Sequence, residues 1–388
     1  MSNVIDYLNW RGDLSFEVSE FNEADSMVLS LISYVDWSGI VPEDYKNAVY
    51  LKDAAKLALE NDDLCHMIAV DEKAYRQLLD LCICSKRFSD IKLLHYISKI
   101  SYDIQMQFAA LVFDIGTDIV ICFRGTDDTI VGWQEDFNMS ILKTVPSQSE
   151  ALNYFISTAN RFTKNRFILC GHSKGGNLAV FSAIMSPEAL TDRIKFVYSL
   201  DGPGFMSSNV DSDKYKKLQS RITTYVPQSS IVGMFLDHEE KHIVIKSSAS
   251  GGIAQHNGLT WEVLGNSFIH LEETDKRSRF IEKTFKDAIA VTSVEERTEL
   301  AVALSQIIDM LDNNTLTGLV NNIPSSIVKT IKGYDALSDS SKRIVMFFAR
   351  TIISNGQQNL GNGAKKEAKE RKFKFPLKLN RNSNSHNS

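Results

Sequence analysis

Arg166-Phe-Ile-Leu-Cys-Gly-His-Ser-Lys-Gly-Gly176 is the stretch that decides the fold. An apolar run, Phe167 to Cys170, meets the pattern G-x-S-x-G in Gly171-His172-Ser173-Lys174-Gly175, and a helical pattern follows over about 176 to 186. A serine raised on a sharp strand-to-helix turn exposes its hydroxyl at the top of a sheet, and glycine is needed where the turn brings backbone against backbone. The helix then points its free N–H groups at the same place. Ser173 is the candidate nucleophile, because it alone among the serines has glycine at both flanking turn positions.

Around this turn the apolar pattern describes an α/β protein. Phe108 to Phe113, Ile119 to Phe123, Phe167 to Cys170, Phe196 to Leu200, Ile222 to Val226 and Ile243 to Ile245 are short runs rich in Val, Ile and Phe. Helical patterns at 148 to 163 and 176 to 186 separate several of them. Strands apolar on both faces and alternating with helices imply a mostly parallel sheet covered on both sides, with active residues at the strand C-terminal ends. The first hundred residues read as mainly helical, with Asn22 as an N-cap and helices at about 52 to 60 and 71 to 84. The organisation expected is a helical part at 1–100 packed on a core at 101–290, a helical extension at 291–355 and a basic, disordered tail at 356–388. The extension rests on an apolar stripe at Leu300, Leu304, Ile307, Ile308 and Leu311 and on a second stretch at 343 to 353.

Composition bounds the class. Of 388 residues, 43% are hydrophobic and 23% charged, the profile of a globular protein. The N-terminus shows neither a basic stretch nor an apolar core of a signal, and no apolar run is long enough for a bilayer, so a cytoplasmic location is expected. Five cysteines (Cys65, Cys82, Cys84, Cys122, Cys170) are an odd number in mostly apolar segments, which argues for reduced thiols. The net charge of −5 divides unevenly. Residues 364 to 388 hold eight Lys or Arg against two Glu, so the tail carries +6 and the remainder −11. Such a tail is a solvated terminus first and a weak contact for anionic membrane second; no nucleic-acid partner is expected. Oligomeric state leaves no signal.

Serine chemistry needs a base, an acid to orient it and donors for the oxyanion. Among His238, His242, His256 and His270, only His256 lies in a Gly-bounded loop after a strand, where the order Ser, acid, His puts the base. His242 opens a strand, and His270 reads as a helix or its approach. Phe123-Arg-Gly-Thr-Asp127 ends a strand and offers the N–H of Thr126 to an oxyanion, alongside the N–H of Lys174. Asp136 is placed to fix the Thr126 hydroxyl. For the acid, Asp201 ends the strand Phe196 to Leu200 ahead of Gly202-Pro203-Gly204, and its rival is Asp237. Asp201 also has a plain reading as the cap of that turn.

F-R-G-T, W-x-x-D (Trp133 to Asp136) and G-H-S-x-G-G, in that order, resemble the class 3 lipases, serine esterases of α/β-hydrolase fold. The fuller set adds Trp10-Arg-Gly-Asp-Leu, Phe21-Asn-Glu, Asp201-Gly-Pro-Gly-Phe205, Val226-Pro-Gln-Ser-Ser-Ile-Val-Gly233 and Gln255-His256. Together these are similar to a bacterial family of lipase-like hydrolases, the Mbeg-like family, a domain of unknown function, over roughly residues 1 to 290. The resemblance implies Ser173 as nucleophile, His256 as base and the Thr126 region as oxyanion site. It implies an acyl ester or lipid substrate and no cofactor. One departure stands out: the segment where class 3 lipases carry their acid is here Thr224-Tyr-Val-Pro-Gln-Ser-Ser-Ile231, without a carboxylate. A non-catalytic, ligand-binding member of the fold is the alternative function.

His238-Glu-Glu-Lys-His242 spells H-E-x-x-H, the helical zinc pattern. His242 runs directly into Ile-Val-Ile-Lys, a β-branched run no helix would continue through. No metal is expected from it.

Overall fold

The central strands are apolar without a break because successive side chains serve two different cores. On Ile119–Phe123 (β4), Ile119, Ile121 and Phe123 join one buried cluster while Val120 and Cys122 join another. On Phe167–His172 (β5), Phe167 and Leu169 face the same way as Ile121, and Ile168 and Cys170 face the opposite way. Period-two alternation on a sheet buried on both sides leaves no polar position to break the run.

The computed structural model describes residues 2–61, 72–127, 129–139, 142–206, 212–250 and 252–276, with scattered positions beyond as far as 342. The expected extension at 300–311 and 343–353, the basic tail and Cys65 lie outside the described residues.

Among the described residues, nine strands form one sheet in the order β1-β2-β3-β4-β5-β6-β7-β8-β11. These are β1 (Val49–Tyr50), β2 (Lys92–Ser101), β3 (Met106–Asp114), β4, β5, β6 (Ile194–Leu200), β7 (Ile222–Pro227), β8 (Lys241–Ile245) and β11 (His270–Leu271). β4 through β8 run parallel, and the pairs outside them are antiparallel. A two-stranded ribbon of β9 (Val263–Leu264) and β10 (Ser267–Phe268) stands apart.

A parallel sheet that advances steadily in one direction places its right-handed crossovers on a single face. Here α6 (Pro146–Arg161) and α7 (Lys174–Met185) pack together on that face, with α5 (Ile130–Asn138), α8 (Glu188–Thr191) and α9 (Ser212–Leu218) completing the crossovers. The opposite face has no crossover to cover it. It is closed by the first four helices, α1 (Val4–Arg11), α2 (Glu23–Ile32), α3 (Leu51–Leu59) and α4 (Glu72–Cys84), whose buried residues join those of β3 to β6 in one core. A short helix, α10 (Gly252–Gln255), lies between β8 and β9. Among the described residues no helix is long and apolar enough to cross a membrane.

Two readings of the sequence need correction. The first hundred residues contain β1 and β2 as well as helices, and β2 pairs with β3 across residue 100, so the helical part and the core share a sheet. β2 writes no continuous apolar run because its second half is largely solvent-facing and carries Ser98, Lys99 and Ser101. His270 is not in a helix but in β11, opposite Ile245, with its ring on Glu23. The cysteines Cys82, Cys84, Cys122 and Cys170 are free, and Cys122 faces Cys170 across β4 and β5 with Sγ atoms 2.8 Å apart.

The helical layer is pinned by a buried ion pair. Asp25 of α2 takes both Arg87 Nη2 and Nε, at 2.6 and 2.8 Å, and both side chains are fully buried. Arg87 also donates to the carbonyls of Leu14, Ser19 and Glu20, and Tyr7 donates its hydroxyl to Asp25 at 2.7 Å. Burial in company with the Asp25 carboxylate raises the Tyr7 phenol well above its usual value. Breaking such a pair on one side leaves a bare buried charge, so Asp25→Ala should cost about 3–5 kcal/mol in chemical unfolding. A loss within 1 kcal/mol would show that the charge on Arg87 finds another partner.

Candidate active site

The strand ladder delivers the site residues to one edge of the sheet. β4, β5 and β6 end at Phe123, His172 and Leu200, and the residues that follow each are the loop 124–127, Ser173 and Asp201. The ladder runs one step past the strands, with Ser173 N donating to Leu200 O at 2.9 Å and Asp201 N to Tyr225 O at 2.8 Å. Ser173 sits at φ 60°, ψ −134°, in a region L-residues seldom occupy, at a cost of about 1–3 kcal/mol. Its flanking glycines are there for contact rather than torsion: a Cβ on Gly175 would lie 2.0 Å from the Phe123 carbonyl oxygen, and one on Gly171 would lie 2.3 Å from Gly175.

Asp201 and His256 meet. His256 Nδ1 is 2.6 Å from Asp201 Oδ2. Asp201 is fully buried, adopts φ 52°, and its other oxygen accepts from Ser230 Oγ at 2.5 Å and Gly233 N at 3.0 Å. Asp tolerates the left-handed region better than most residues. The segment after β7, which has no carboxylate of its own, thus supplies donors to a carboxylate from β6. Gly233 must be glycine for this, because a Cβ there would fall 2.3 Å from Asp201 Oδ1. The rival Asp237 has an exposed side chain and bridges Phe205 through backbone bonds of 2.8 and 2.9 Å. His256 comes directly after the single turn of α10, so its loop is less open than its composition implies.

Thr126 Oγ1 donates to Asp136 Oδ2 at 2.6 Å, as its spacing on α5 allows. Burial raises the Asp136 carboxyl to about 6, with Lys174 and Thr126 pulling it back, although 28% of its side chain faces solvent. The side chain of Lys174 had no assigned part. It is buried, with Nζ at 3.0 Å from Glu135 Oε2, 2.8 Å from Gln107 Oε1 and 2.9 Å from Gln107 O. Glu135 in turn accepts from Gln107 N at 3.0 Å and Ser147 N at 2.8 Å. This ion pair ties the first residue of α7 to β3 and α5.

His172, the residue between Gly171 and Ser173, was also unassigned. Nε2 lies 2.7 Å from the carbonyl oxygen of His256, and Nδ1 lies 3.1 Å from the Tyr34 hydroxyl. A carbonyl only accepts, so Nε2 carries the proton and Nδ1 accepts from Tyr34. Burial first, and then the neighbouring His256, push the His172 imidazole down to about 3. Its ring lies beside that of His256, centroids 4.5 Å apart and planes tilted by 37°.

His172 should therefore appear by ring-nitrogen NMR as the neutral Nε2–H tautomer from pH 8 down to pH 5. Because its folded value is depressed below the ordinary 6.5, its contribution to stability is complete above that pH and is lost as pH falls toward about 3. A His172 signal titrating near pH 6.5 would contradict the assignment.

A comparison with curated proteins found no match. Solved structures that are similar include a fungal lipase in complex with an inhibitor, at 16% identity over 58% of this chain and 78% of that one, with a TM-score of 0.35. M37 lipase is similar at 17% identity over 55% of this chain and 70% of its own, TM-score 0.37. Lipase II from Rhizopus niveus is similar at 14% identity over 44% and 70%, TM-score 0.31. The family model described as Mbeg1-like matches residues 82–306, more than half the chain, and the chain belongs to that family.

Proposed function

We propose that the chain is a serine hydrolase that cleaves an acyl ester, with a lipid as the favoured substrate class, through an acyl-enzyme on Ser173. The observation that carries this reading is the bond of 2.6 Å between His256 and the buried Asp201, made beside a serine on a strained elbow. Asp201 accepts the Nδ1–H of His256 and so leaves Nε2 free to take the Ser173 proton. The oxygen of Ser173 then adds to the ester carbonyl, and the N–H groups of Thr126 and Lys174 receive the oxyanion. Collapse expels the alcohol, which takes its proton from His256. Water then gives a proton to His256 and adds to the acyl carbonyl, and collapse breaks the bond to Ser173 Oγ, which regains that proton from His256 as the carboxylic acid leaves. The free cysteines agree with a cytoplasmic place of action.

A fluorophosphonate probe should label the wild-type protein and not Ser173→Ala. His256→Ala should lower turnover of a short p-nitrophenyl ester by several orders of magnitude, and Asp201→Asn by about 10⁴-fold, with the fold intact by circular dichroism. Equal labelling of wild type and Ser173→Ala, or none of either, would favour the non-catalytic, ligand-binding alternative.

Asp136→Asn separates function from stability. The raised carboxyl favours folding below about pH 4, and that contribution is lost as pH rises through about 6. Asparagine escapes that loss, so its Tm at pH 7.5 should equal or exceed wild type while turnover falls about tenfold to a hundredfold, less than the ~10²–10³-fold for removing an oxyanion donor outright because Asp136 acts only by orienting one. A variant that loses stability and keeps full turnover would refute the role of Asp136.

A further inference from the structure

The H-E-x-x-H stretch is not helical: residues from Lys241 form β8, and Glu240, just before them, is a bend. The trio that meets across this bend is His238, Glu240 and His242, not the pair with Glu239 that the helical pattern would use. One donor atom from each of the three lies within 4.8 Å of the other two. The two imidazole rings are 4.3 Å apart at 72°, and His238 Nδ1 is 2.8 Å from Glu240 Oε1.

We propose that His238, Glu240 and His242 form a binding site for a divalent transition-metal cation of the zinc class, separate from Ser173 and His256. Two imidazoles and one carboxylate match the ligand preference of such a cation, and tetrahedral ligands at 2.0–2.2 Å from zinc stand about 3.4 Å from one another, within small side-chain rotations of the present spacing. Metal ligands are oriented by groups behind them. Glu240 has such groups, since Tyr215 donates its hydroxyl at 2.5 Å and Thr224 Oγ1 also donates to it. The His238 side chain is 4% exposed, and its Nε2 is buried with no hydrogen-bond partner among the described residues, a costly state for a polar ring atom. The cation would brace three segments: β7 through Thr224, the start of β8, and the turn after Asp201, where a Cβ on Gly204 would fall 2.8 Å from His238 Cδ2. Its place is structural, and the acyl transfer needs nothing from it.

The test uses untagged full-length protein stripped with a chelator, titrated with Co²⁺ and followed by visible d–d absorption, then with Zn²⁺ and followed by thermal unfolding. The wild type should develop a band at one equivalent of Co²⁺ that Zn²⁺ abolishes, and Zn²⁺ should raise its Tm. His238→Gln and His242→Gln should each bind at least tenfold more weakly and lose the Tm shift. His256→Ala should keep both signals, because His256 is the competing imidazole at the candidate active site. No band in the wild type, a band that survives in His242→Gln, or one that vanishes in His256→Ala would overturn the proposal. His242 is only half-buried, so His242→Gln decides the matter even where His238→Gln fails to fold.

Discussion

The contact on which the site depends is backbone against backbone at Phe123. Its carbonyl oxygen occupies the space a side chain on Gly175 would need, which seats the first turn of α7 on the end of β4. The same closeness continues along the next loop: a Cβ on Gly125 would stand 2.5 Å from the His172 carbonyl and 3.0 Å from Ser173 Cβ. The serine and the Thr126 loop are thus held together by an absence of side chains. The torsional cost at Ser173 is carried by the sheet, whose ladder bond to Leu200 reaches the residue itself.

The candidate acid draws on the segments around it. A carboxylate at the end of β6 is reached from the loop after β7, and Ser230 and Gly233 spend their donors on it. The N-terminal helical layer takes part as well. Tyr34, two residues beyond α2, donates to His172, which holds the His256 carbonyl, so helices on the far face of the sheet bear on the position of the candidate base.

What the sequence disclosed follows from how local each signal is. β3, β4 and β5 are legible because burial on both faces writes a nearly continuous apolar run, β6 to β8 because they keep Val, Ile and aromatic residues although less fully buried, and the elbow because its glycines lie within five residues. Asp201 was legible as a strand end followed by Gly-Pro-Gly, but the donors that hold it come from 29 and 32 residues away. His172 gave no signal, since its partners Tyr34 and His256 lie 138 and 84 residues off. The buried amine of Lys174 was equally silent: nothing local shows that a lysine after a nucleophile turns inward to Glu135. His242 reads from its β-branched sequel as part of a strand, and it lies in β8, whereas the approach of His238 and Glu240 to it has no local pattern in the sequence.

The sheet ends on both sides in a strand of two residues, β1 beyond β2 and β11 beyond β8. An uncovered strand edge is a template for a second chain, and a partner of two residues offers too few free N–H and C=O groups to act as one. β2, with ten residues, would otherwise be the long border of this sheet, and at Leu93 and Lys92 it is matched instead by Val49 and Tyr50. The lysines at 92 and 99 mark the same strand with charge. The two-residue strands thus shorten the open border of the sheet where they pair, and along the rest of β2 the exposed Lys99 is the feature that disfavours edge-to-edge pairing.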